Sequence, residues 1–399
     1  MQKITTGFWS PQRKILKFVC CGALCLALFG CFKGSEQVGK GKLQLKKVSF
    51  SSLPGWSKEN FAEIIPVFSK NCAGLKEYGK KENATTQINI SPTEYEKICE
   101  RFAKQKPNNS AKMKKFIEKE FAVYQISDGD NTQGKFTSYY EAEIKASFEK
   151  SAKYKYPVYG KPKDLVEINL RDFGKDLPDS RLVGRVENGR FVPYYKRNDI
   201  ENKGIDAPII MWGDDLVDIH FMQIQGSAVA HMDDGSEIRI GYADNNGHKF
   251  KGIGSILTEK KLIKPGEASM PKIREWLRKN PEKAAKIMAE NERFVFQRLS
   301  DADGPVGAFG ISLTAGRSLA VDNGYIPLGA MLWLDTKDPD KRNLQKIVFA
   351  QDIGGAIKGV VRGDYFWGHG EEALKEAGRM NSAGGYYIFV PQNTEIKAK

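Results

Sequence analysis

Apolar residues recur every three to four positions in two early segments, Phe61 to Leu75 and Pro92 to Phe121. This spacing is typical of helices that bury one face, and Ser91-Pro92-Thr93-Glu94 carries residues that commonly begin a helix. The same spacing returns from Met270 to Asn280 and from Pro281 to Asn291, where Asn280-Pro281 separates two short helices. The pattern therefore predicts helices early in the chain and again just before residue 291.

Two other regions consist of short β-rich runs broken by Gly, Pro and Asn, which predict strands. The first group is Phe136 to Ala146, Leu182 to Val186, Phe191 to Tyr195, Leu216 to Gln225 and Ile238 to Tyr242. The second group is Ser318 to Val321, Ala330 to Leu334, Lys346 to Gln351 and Gly385 to Val390. Because strands dominate twice, with helices before and between them, we expect a mainly β fold with two barrel-like domains.

The N-terminus has the parts of a bacterial secretion signal. Basic residues precede an apolar run from Phe18 to Phe29, which is shorter than the ~20 residues of a membrane-spanning helix. The sequence Leu28-Phe29-Gly30-Cys31 resembles a lipobox, which implies cleavage before Cys31 and its modification with lipid. We expect a signal peptide over residues 1–30, a flexible tether over 31–52, and anchoring at the periplasmic face of the outer membrane by several acyl chains.

The chain of 399 residues has a formal net charge of +13, and the predicted signal contributes only four of its cations. Its lysine clusters are short and interleaved with apolar residues, and it has no nucleic-acid-binding signature. The basic surface is therefore expected to face anionic lipid or polymer rather than nucleic acid. Two of the six cysteines, Cys72 and Cys99, follow the signal, and they either pair or remain buried thiols.

Several kinds of chemistry lack their sequence signatures. The four histidines show no metal-ligand spacing, and the chain has no CxxC, HExxH, Walker or GxSxG motif. We therefore predict no metal, no cofactor and no serine nucleophile. Carboxylates remain as the expected acid or base.

Three aspartates near the C-terminus occur in distinctive surroundings. Asp322 lies in GRSLAVDNGYIPLGAMLWL, Asp352 in FAQDIGGAIKG and Asp364 in VVRGDYFWGHG. Asp352 follows an apolar strand, so its carboxylate is expected at the end of that strand. Asp364 has aromatic neighbours, and loss of hydration favours the protonated form of such a carboxyl. Turn formation is the alternative for each aspartate.

These blocks resemble the three-aspartate domain of the membrane-bound lytic murein transglycosylase A family. Upstream blocks resemble the same family in the same order, over about Leu53 to Pro391. They are FTSYYEAEI (136–144), YPVYGKP (156–162), VPYYKRNDI (192–200), VDIHFMQIQGSA (217–228), IRIGYADNNGHKF (238–250) and SMPKIREWLRKNP (269–281).

The resemblance implies a double-psi β-barrel formed by residues 53–143 and 291–392. It is interrupted by a second β-barrel domain over residues 144–290, and a glycan strand of peptidoglycan lies in the groove between them. Thr137, Tyr140, Gln223 and Gln225 are the implied substrate-binding residues. We place the two glutamines on one side of a strand, since they alternate in sequence; a solvated sheet face is the alternative.

The resemblance also implies a lytic transglycosylase in which Asp364 is the single acid/base and the product carries a 1,6-anhydro-MurNAc end. Asp352 supports Asp364, either by a hydrogen bond or by raising its pKa, and Asp322 is structural or supporting. Arg317 and Lys358 either bind an acidic stem peptide or neutralise buried charge. A non-catalytic peptidoglycan-binding lipoprotein and an inverting hydrolase with an aspartate pair are the alternatives. Cell-wall synthesis or division proteins are further expected partners.

Overall fold

The computed structural model describes residues 41–78, 88, 92–178, 180–392 and 394. The predicted signal peptide, Cys31 and the first part of the tether lie outside these residues. In the part described, the strands are β1 (Leu43–Val48), β2 (Phe121–Asp128), β3 (Gly134–Ser147), β4 (Tyr156–Tyr159), β5 (Val166–Asn169), β6 (Arg181–Glu187), β7 (Arg190–Pro193), β8 (Ile209–Gly213), β9 (Ala228–Met232), β10 (Glu237–Asn245), β11 (Val295–Ser300), β12 (Ser318–Val321), β13 (Met331–Lys337), β14 (Asn343–Ile353), β15 (Arg362–His369) and β16 (Asn381–Pro391).

The helices form an early group, a middle group and one late member. They are α1 (Ile64–Tyr78), α2 (Pro92–Gln105), α3 (Ser110–Glu120), α4 (Arg197–Lys203), α5 (Leu216–Gln225), α6 (Ile253–Glu259), α7 (Met270–Lys279), α8 (Pro281–Ala289) and α9 (Gly370–Ala377). Short 3-10 turns occupy Phe50–Ser52, Trp56–Lys58, Phe61–Glu63 and Leu170–Asp172. Within the described ranges, no helix combines the length and apolar character needed to cross a bilayer.

Six strands close into a ring through their hydrogen-bond pairing. The path runs β3, β15, β12, β14, β13 and β16, and it closes because β16 pairs with β3 at its start and with β13 in its middle, through Gly385 to Ile388. The β12–β14 and β15–β3 ladders are parallel, and the other ladders of the ring are antiparallel. The ring is a barrel that encloses the apolar side chains of its strands. It confirms the predicted mainly β fold with a barrel near the C-terminus.

Strand β3 links this barrel to a second sheet because it is long enough to serve both. Its residues near Thr137 pair within the barrel, whereas Ala142 to Ala146 pair with β9 in parallel. The second sheet continues from β9 to β10 and β11, and on the other side through β8 to β4. Strands β5, β6 and β7 form a separate small sheet.

The early helices cover one side of the barrel with aromatic side chains. Phe68 on α1 contacts Phe116 on α3 and Phe349 on β14, with ring centroids 5.9 and 6.3 Å apart. Cys72 on α1 and Cys99 on α2 form a disulfide, which settles the alternatives left open by the sequence. The disulfide fixes α1 to α2 beside the barrel.

The disulfide is expected to stabilise the fold by restricting the unfolded chain. Its cysteines are separated by 27 residues, and a loop of that length corresponds to about 3–4 kcal/mol. The double variant Cys72→Ala/Cys99→Ala should lose about that much free energy of unfolding in urea titrations. An unchanged free energy of unfolding would contradict the prediction.

The predicted strand from Leu216 to Gln225 is wrong, because this segment is helix α5. Asp215 caps the helix by accepting a hydrogen bond from the Val217 backbone N–H, and Gly226 ends it with a φ of 87°. These are ordinary helix start and stop residues. The remaining predicted strands are confirmed within a few residues at their ends, and so are the predicted helices, except that Pro92 to Phe121 is two helices, α2 and α3, separated at residues 106–109.

Candidate active site

Strand register places two of the three aspartates in one row across the barrel. Asp352 on β14 and Asp364 on β15 both pair with Ala320, on the strand between them. On its other side Asp364 pairs with Thr137 of β3. Laterally paired residues share a face of a sheet, so these side chains emerge together. Ala320 lies between the two aspartates in the pairing and contributes a methyl group.

Asp364 lies in a setting that favours its protonated form. Burial raises the pKa of Asp364 to about 6, opposed by a hydrogen bond from the Thr137 hydroxyl and by the charge of Arg362. The negative charge of Asp352 raises the pKa further. Arg362 Nη2 also donates to Thr137 Oγ1 at 2.7 Å. The carboxyl of Asp364 can therefore hold a proton in weakly acidic solution and release it close to neutrality.

Asp352 is held by donors on two different segments. The Tyr139 hydroxyl donates to Oδ2 at 3.0 Å, and the Ala308 backbone N–H donates to Oδ1 at 3.0 Å. Burial raises the pKa of Asp352, and these hydrogen bonds oppose the shift. Burial and the neighbouring Asp352 charge raise the pKa of Tyr139 well above its usual value, so its hydroxyl remains a donor. Asp352 thus influences Asp364 through its charge, while its own hydrogen bonds go to Tyr139 and Ala308.

Asp322 has a different environment from the other two aspartates. Its carboxylate accepts from the backbone N–H groups of Gly324 at 3.1 Å and Gly359 at 2.8 Å. Lys358 lies 3.9 Å away and is largely exposed. Asp322 therefore joins two turns of the barrel.

Gln223 and Gln225 lie on a helix rather than on the predicted strand, whereas Tyr140 lies on the predicted strand β3. Residues two apart on a helix do not share a face, so Gln223 and Gln225 of α5 point in different directions. Gln223 is buried, whereas Gln225 is partly exposed and accepts from the Tyr140 backbone N–H at 3.3 Å. The Tyr140 ring is buried in the second sheet, and its hydroxyl accepts from Arg274 at 3.0 Å. Tyr139, which the sequence argument missed, shares the face of Thr137 because the two alternate along β3.

Arg317 forms a buried ion pair away from the row of aspartates. Its guanidinium donates to both carboxylate oxygens of Glu59 at 3.0 Å and to Glu63 at 2.6 Å. Of the two roles left open for Arg317, the contacts favour neutralisation of buried charge.

A cavity of about 400 Å³ lies elsewhere, between α5, α7 and α8, and is lined by Tyr156, Asp215, Leu277 and Arg278 among others. None of the predicted site residues lines it. In the described residues, no group of three His, Cys, Asp or Glu side chains is arranged to hold a metal ion. Of the predicted residues, Asp352, Asp364 and Thr137 lie instead in the row around Ala320.

Two known domain families and several solved structures match this chain. The family described as MltA specific insert domain matches residues 135–298, and the family described as 3D domain matches residues 317–390. Crystalline MltA from Neisseria gonorrhoeae is 33% identical, with a TM-score of 0.76 over 91% of this chain and 96% of that one. This chain belongs to the membrane-bound lytic murein transglycosylase A family.

Two further proteins are similar to this chain over two thirds of its length or more. The membrane-bound lytic murein transglycosylase of Agrobacterium tumefaciens is 28% identical, with a TM-score of 0.77 over 88% of this chain and 98% of that one. The Escherichia coli K12 protein named membrane-bound lytic murein transglycosylase A is 29% identical over 276 residues, covering 67% of this chain and 68% of that protein. The resemblance read from the sequence blocks is confirmed.

In this member of the family, Thr137→Val should move the pH profile to higher pH. The hydroxyl of Thr137 stabilises the ionised form of Asp364, so its removal raises the pKa of this carboxyl, which we expect to be protonated at the start of the reaction. We expect kcat/KM to fall above pH about 6 in the wild type. In Thr137→Val this fall should begin at a higher pH. Thr336→Val is the matched control, since the Thr336 hydroxyl donates to the Ala383 carbonyl elsewhere in the barrel. A fall that begins at the same pH in Thr137→Val as in the wild type would contradict the prediction.

Proposed function

We propose that Asp364 alone serves as acid and then base in a non-hydrolytic cleavage of the MurNAc–GlcNAc β-1,4 bond. The protein is a peptidoglycan lytic transglycosylase, as a member of its family; the mechanism and the product are what we propose. The observation that carries the proposal is the carboxyl of Asp364, whose burial raises its pKa to about 6 beside Thr137 and Asp352.

In the first step, Asp364 donates its proton to the glycosidic oxygen while positive charge develops at C1 of MurNAc. In the second step, the Asp364 carboxylate removes the proton of the MurNAc C6 hydroxyl, and O6 forms a bond to C1. The product has a 1,6-anhydro ring and no water is consumed. A single carboxyl suffices because the substrate carries its own nucleophile.

We assign Asp352 the role of an ionised partner. Its negative charge raises the pKa of Asp364 and favours the positive charge developing at C1. Tyr139 and the Ala308 N–H keep its carboxylate in place. The Cα atoms of the two aspartates are about two strand spacings, or ~10 Å, apart. A pair of carboxyl groups with a water between them would also suit an inverting hydrolase, so the product must decide.

For substrate contacts, we propose that the glycan strand lies between the barrel (residues 53–143 and 291–392) and the insert (144–290). Thr137 lies in the row of aspartates, and Gln225 is partly exposed beside β3. These positions support direct contact with the sugar chain. The burial of Tyr140 and Gln223 supports an indirect role, in which they fix the wall of the groove.

We also propose that Cys31, modified with lipid, anchors the protein at the periplasmic face of the outer membrane. The family is named as membrane-bound, and Cys31 closes the apolar run of the predicted signal. Cys31→Ser should move the protein from the membrane fraction to the soluble fraction, because it removes the acceptor of the lipid. A Cys25→Ser variant, altered within the same run, should stay in the membrane. Retention of Cys31→Ser in the membrane would count against the anchor.

The proposed function is tested by digesting purified peptidoglycan and separating the products by mass spectrometry. We expect muropeptides ending in 1,6-anhydro-MurNAc and no increase in reducing ends. Binding without release of fragments would instead identify a peptidoglycan-binding protein.

A further inference from the structure

Strand β14 contains a one-residue bulge directly before Asp352. Leu319 of β12 pairs with Ala350, but the next residue, Ala320, pairs with Asp352. Gln351 is therefore the extra residue of β14. In a regular strand Gln351 would take the place opposite Ala320, and Asp352 would point to the opposite face. The bulge turns the carboxylate of Asp352 toward Asp364.

The side chain of Gln351 is completely buried and continues into a chain of hydrogen bonds. The Ser318 hydroxyl donates to Gln351 Oε1 at 2.6 Å, and Gln351 Nε2 donates to Asn71 Oδ1 at 3.0 Å. Asn71 Nδ2 then donates to the carbonyl of Gly329 at 2.9 Å. Every member of this chain lies in the interior, between α1 and the barrel. A buried amide held at both ends has one orientation available to it.

The backbone of the bulge is fixed as well. The Phe309 N–H donates to the Gln351 carbonyl oxygen at 3.0 Å, next to the Ala308 N–H that donates to Asp352. This approach needs glycine at position 307, because a Cβ there would collide with the Gln351 carbonyl oxygen. One loop therefore binds both the extra residue and the carboxylate that follows it.

We propose that Gln351 and Asn71 are positioning residues that aim Asp352 at Asp364 by pinning the bulge. The inference rests on the proposed role of Asp352 as the ionised partner of Asp364. Neither amide touches the row around Ala320; each acts through the backbone of β14. Loss of the Asn71 side chain removes one of the two side-chain hydrogen bonds that hold the Gln351 amide, and the bulge can then shift. A displacement of ~1 Å in a reacting group can cost up to about a hundredfold in rate.

The test compares three variants of the full protein. Asn71→Leu removes both hydrogen bonds of Asn71 at similar volume and leaves Gln351 Nε2 without its acceptor, while Ser318 still donates to Gln351 Oε1, so both kcat and stability should fall. Asn71→Leu/Gln351→Met removes both amides of the Asn71–Gln351 bond, so no amide is left half-satisfied and part of the lost stability should return. The Ser318 hydroxyl loses its acceptor but still accepts from the Thr314 N–H. Gln297→Leu controls for the replacement of a buried amide by leucine, since Gln297 is an equally buried amide on β11.

We expect Asn71→Leu to lower kcat by about tenfold to a hundredfold with KM unchanged. In the double variant, thermal stability should recover toward wild type while kcat stays low. The fall of activity at high pH should begin at a lower pH, because Asp352 no longer raises the pKa of Asp364. With Asp352 already changed to Asn, Asn71→Leu should have almost no further effect on kcat. Gln297→Leu should keep the wild-type kcat.

Two results would overturn the proposal: recovery of kcat together with stability in the double variant, or an undiminished effect of Asn71→Leu in the Asp352→Asn background. The kcat of each variant is measured from the total muropeptide released, whichever kind of end the fragments carry. Failure of the positioning proposal is thus distinguishable from failure of the proposed product, which the chemistry of the wild-type ends decides separately.

Discussion

Replacing Asp364 by asparagine is expected to lower turnover of peptidoglycan by at least about 10² to 10⁴. The amide keeps the shape of the side chain but cannot pass a proton to the leaving oxygen or recover one from the C6 hydroxyl. We expect the loss to fall on kcat, because the proposed mechanism uses this one group in both steps. Glycan binding should persist, since the row of Asp352, Ala320 and Thr137 stays in place.

Asp352→Asn and Asp340→Asn serve as the comparison and the control for Asp364→Asn. Asp352→Asn should cost less than Asp364→Asn, because it removes a charge and leaves the proton donor. Asp340→Asn changes an exposed aspartate of the same barrel that pairs with Arg379, and it should leave turnover unchanged. Near wild-type release of fragments by Asp364→Asn would show that the assignment is wrong.

The largest expected loss of stability follows Arg317→Leu, at about 3–5 kcal/mol. Arg317 and Glu59 are both buried, and the guanidinium occupies both carboxylate oxygens of Glu59. Without the cation, Glu59 is left as a buried charge whose remaining donor is the Ile347 N–H. Urea unfolding measures the effect.

Arg342→Leu is the matched control for Arg317→Leu. Arg342 is largely exposed and pairs with Asp338, so its removal should cost no more than about 1 kcal/mol. If Arg317→Leu and Arg342→Leu have the same free energy of unfolding, the buried Arg317–Glu59 pair does not stabilise the fold by the predicted amount.

Periodicity predicted most of the elements that build the barrel, because its strands bury one face and its early helices cover it. It failed at α5, whose apolar residues Val217, Ile219, Phe221 and Met222 are buried around most of the helix. A helix that is buried on several sides has no polar stripe and resembles a buried strand in sequence. Asp215 and Gly226 were the available signals for the correct assignment.

Some residues of the candidate site could likewise be predicted from the sequence, and others could not. The sequence blocks pointed to Asp364, Asp352 and Thr137, and the structure brings these three into one row. Tyr139 could have been found from its alternation with Thr137 along β3. The bulge at Gln351 could not, because a register shift depends on the partner strand and on the distant Asn71 rather than on local pattern.

Cleavage in water enriched with oxygen-18 tests the central claim most directly. If the MurNAc C6 hydroxyl is the nucleophile, the wild-type protein should release 1,6-anhydro-muropeptides that contain no solvent oxygen, and Asp364→Asn should release almost none. Reducing ends that carry oxygen-18 would show that water attacks C1 and would contradict the single-aspartate transglycosylase mechanism.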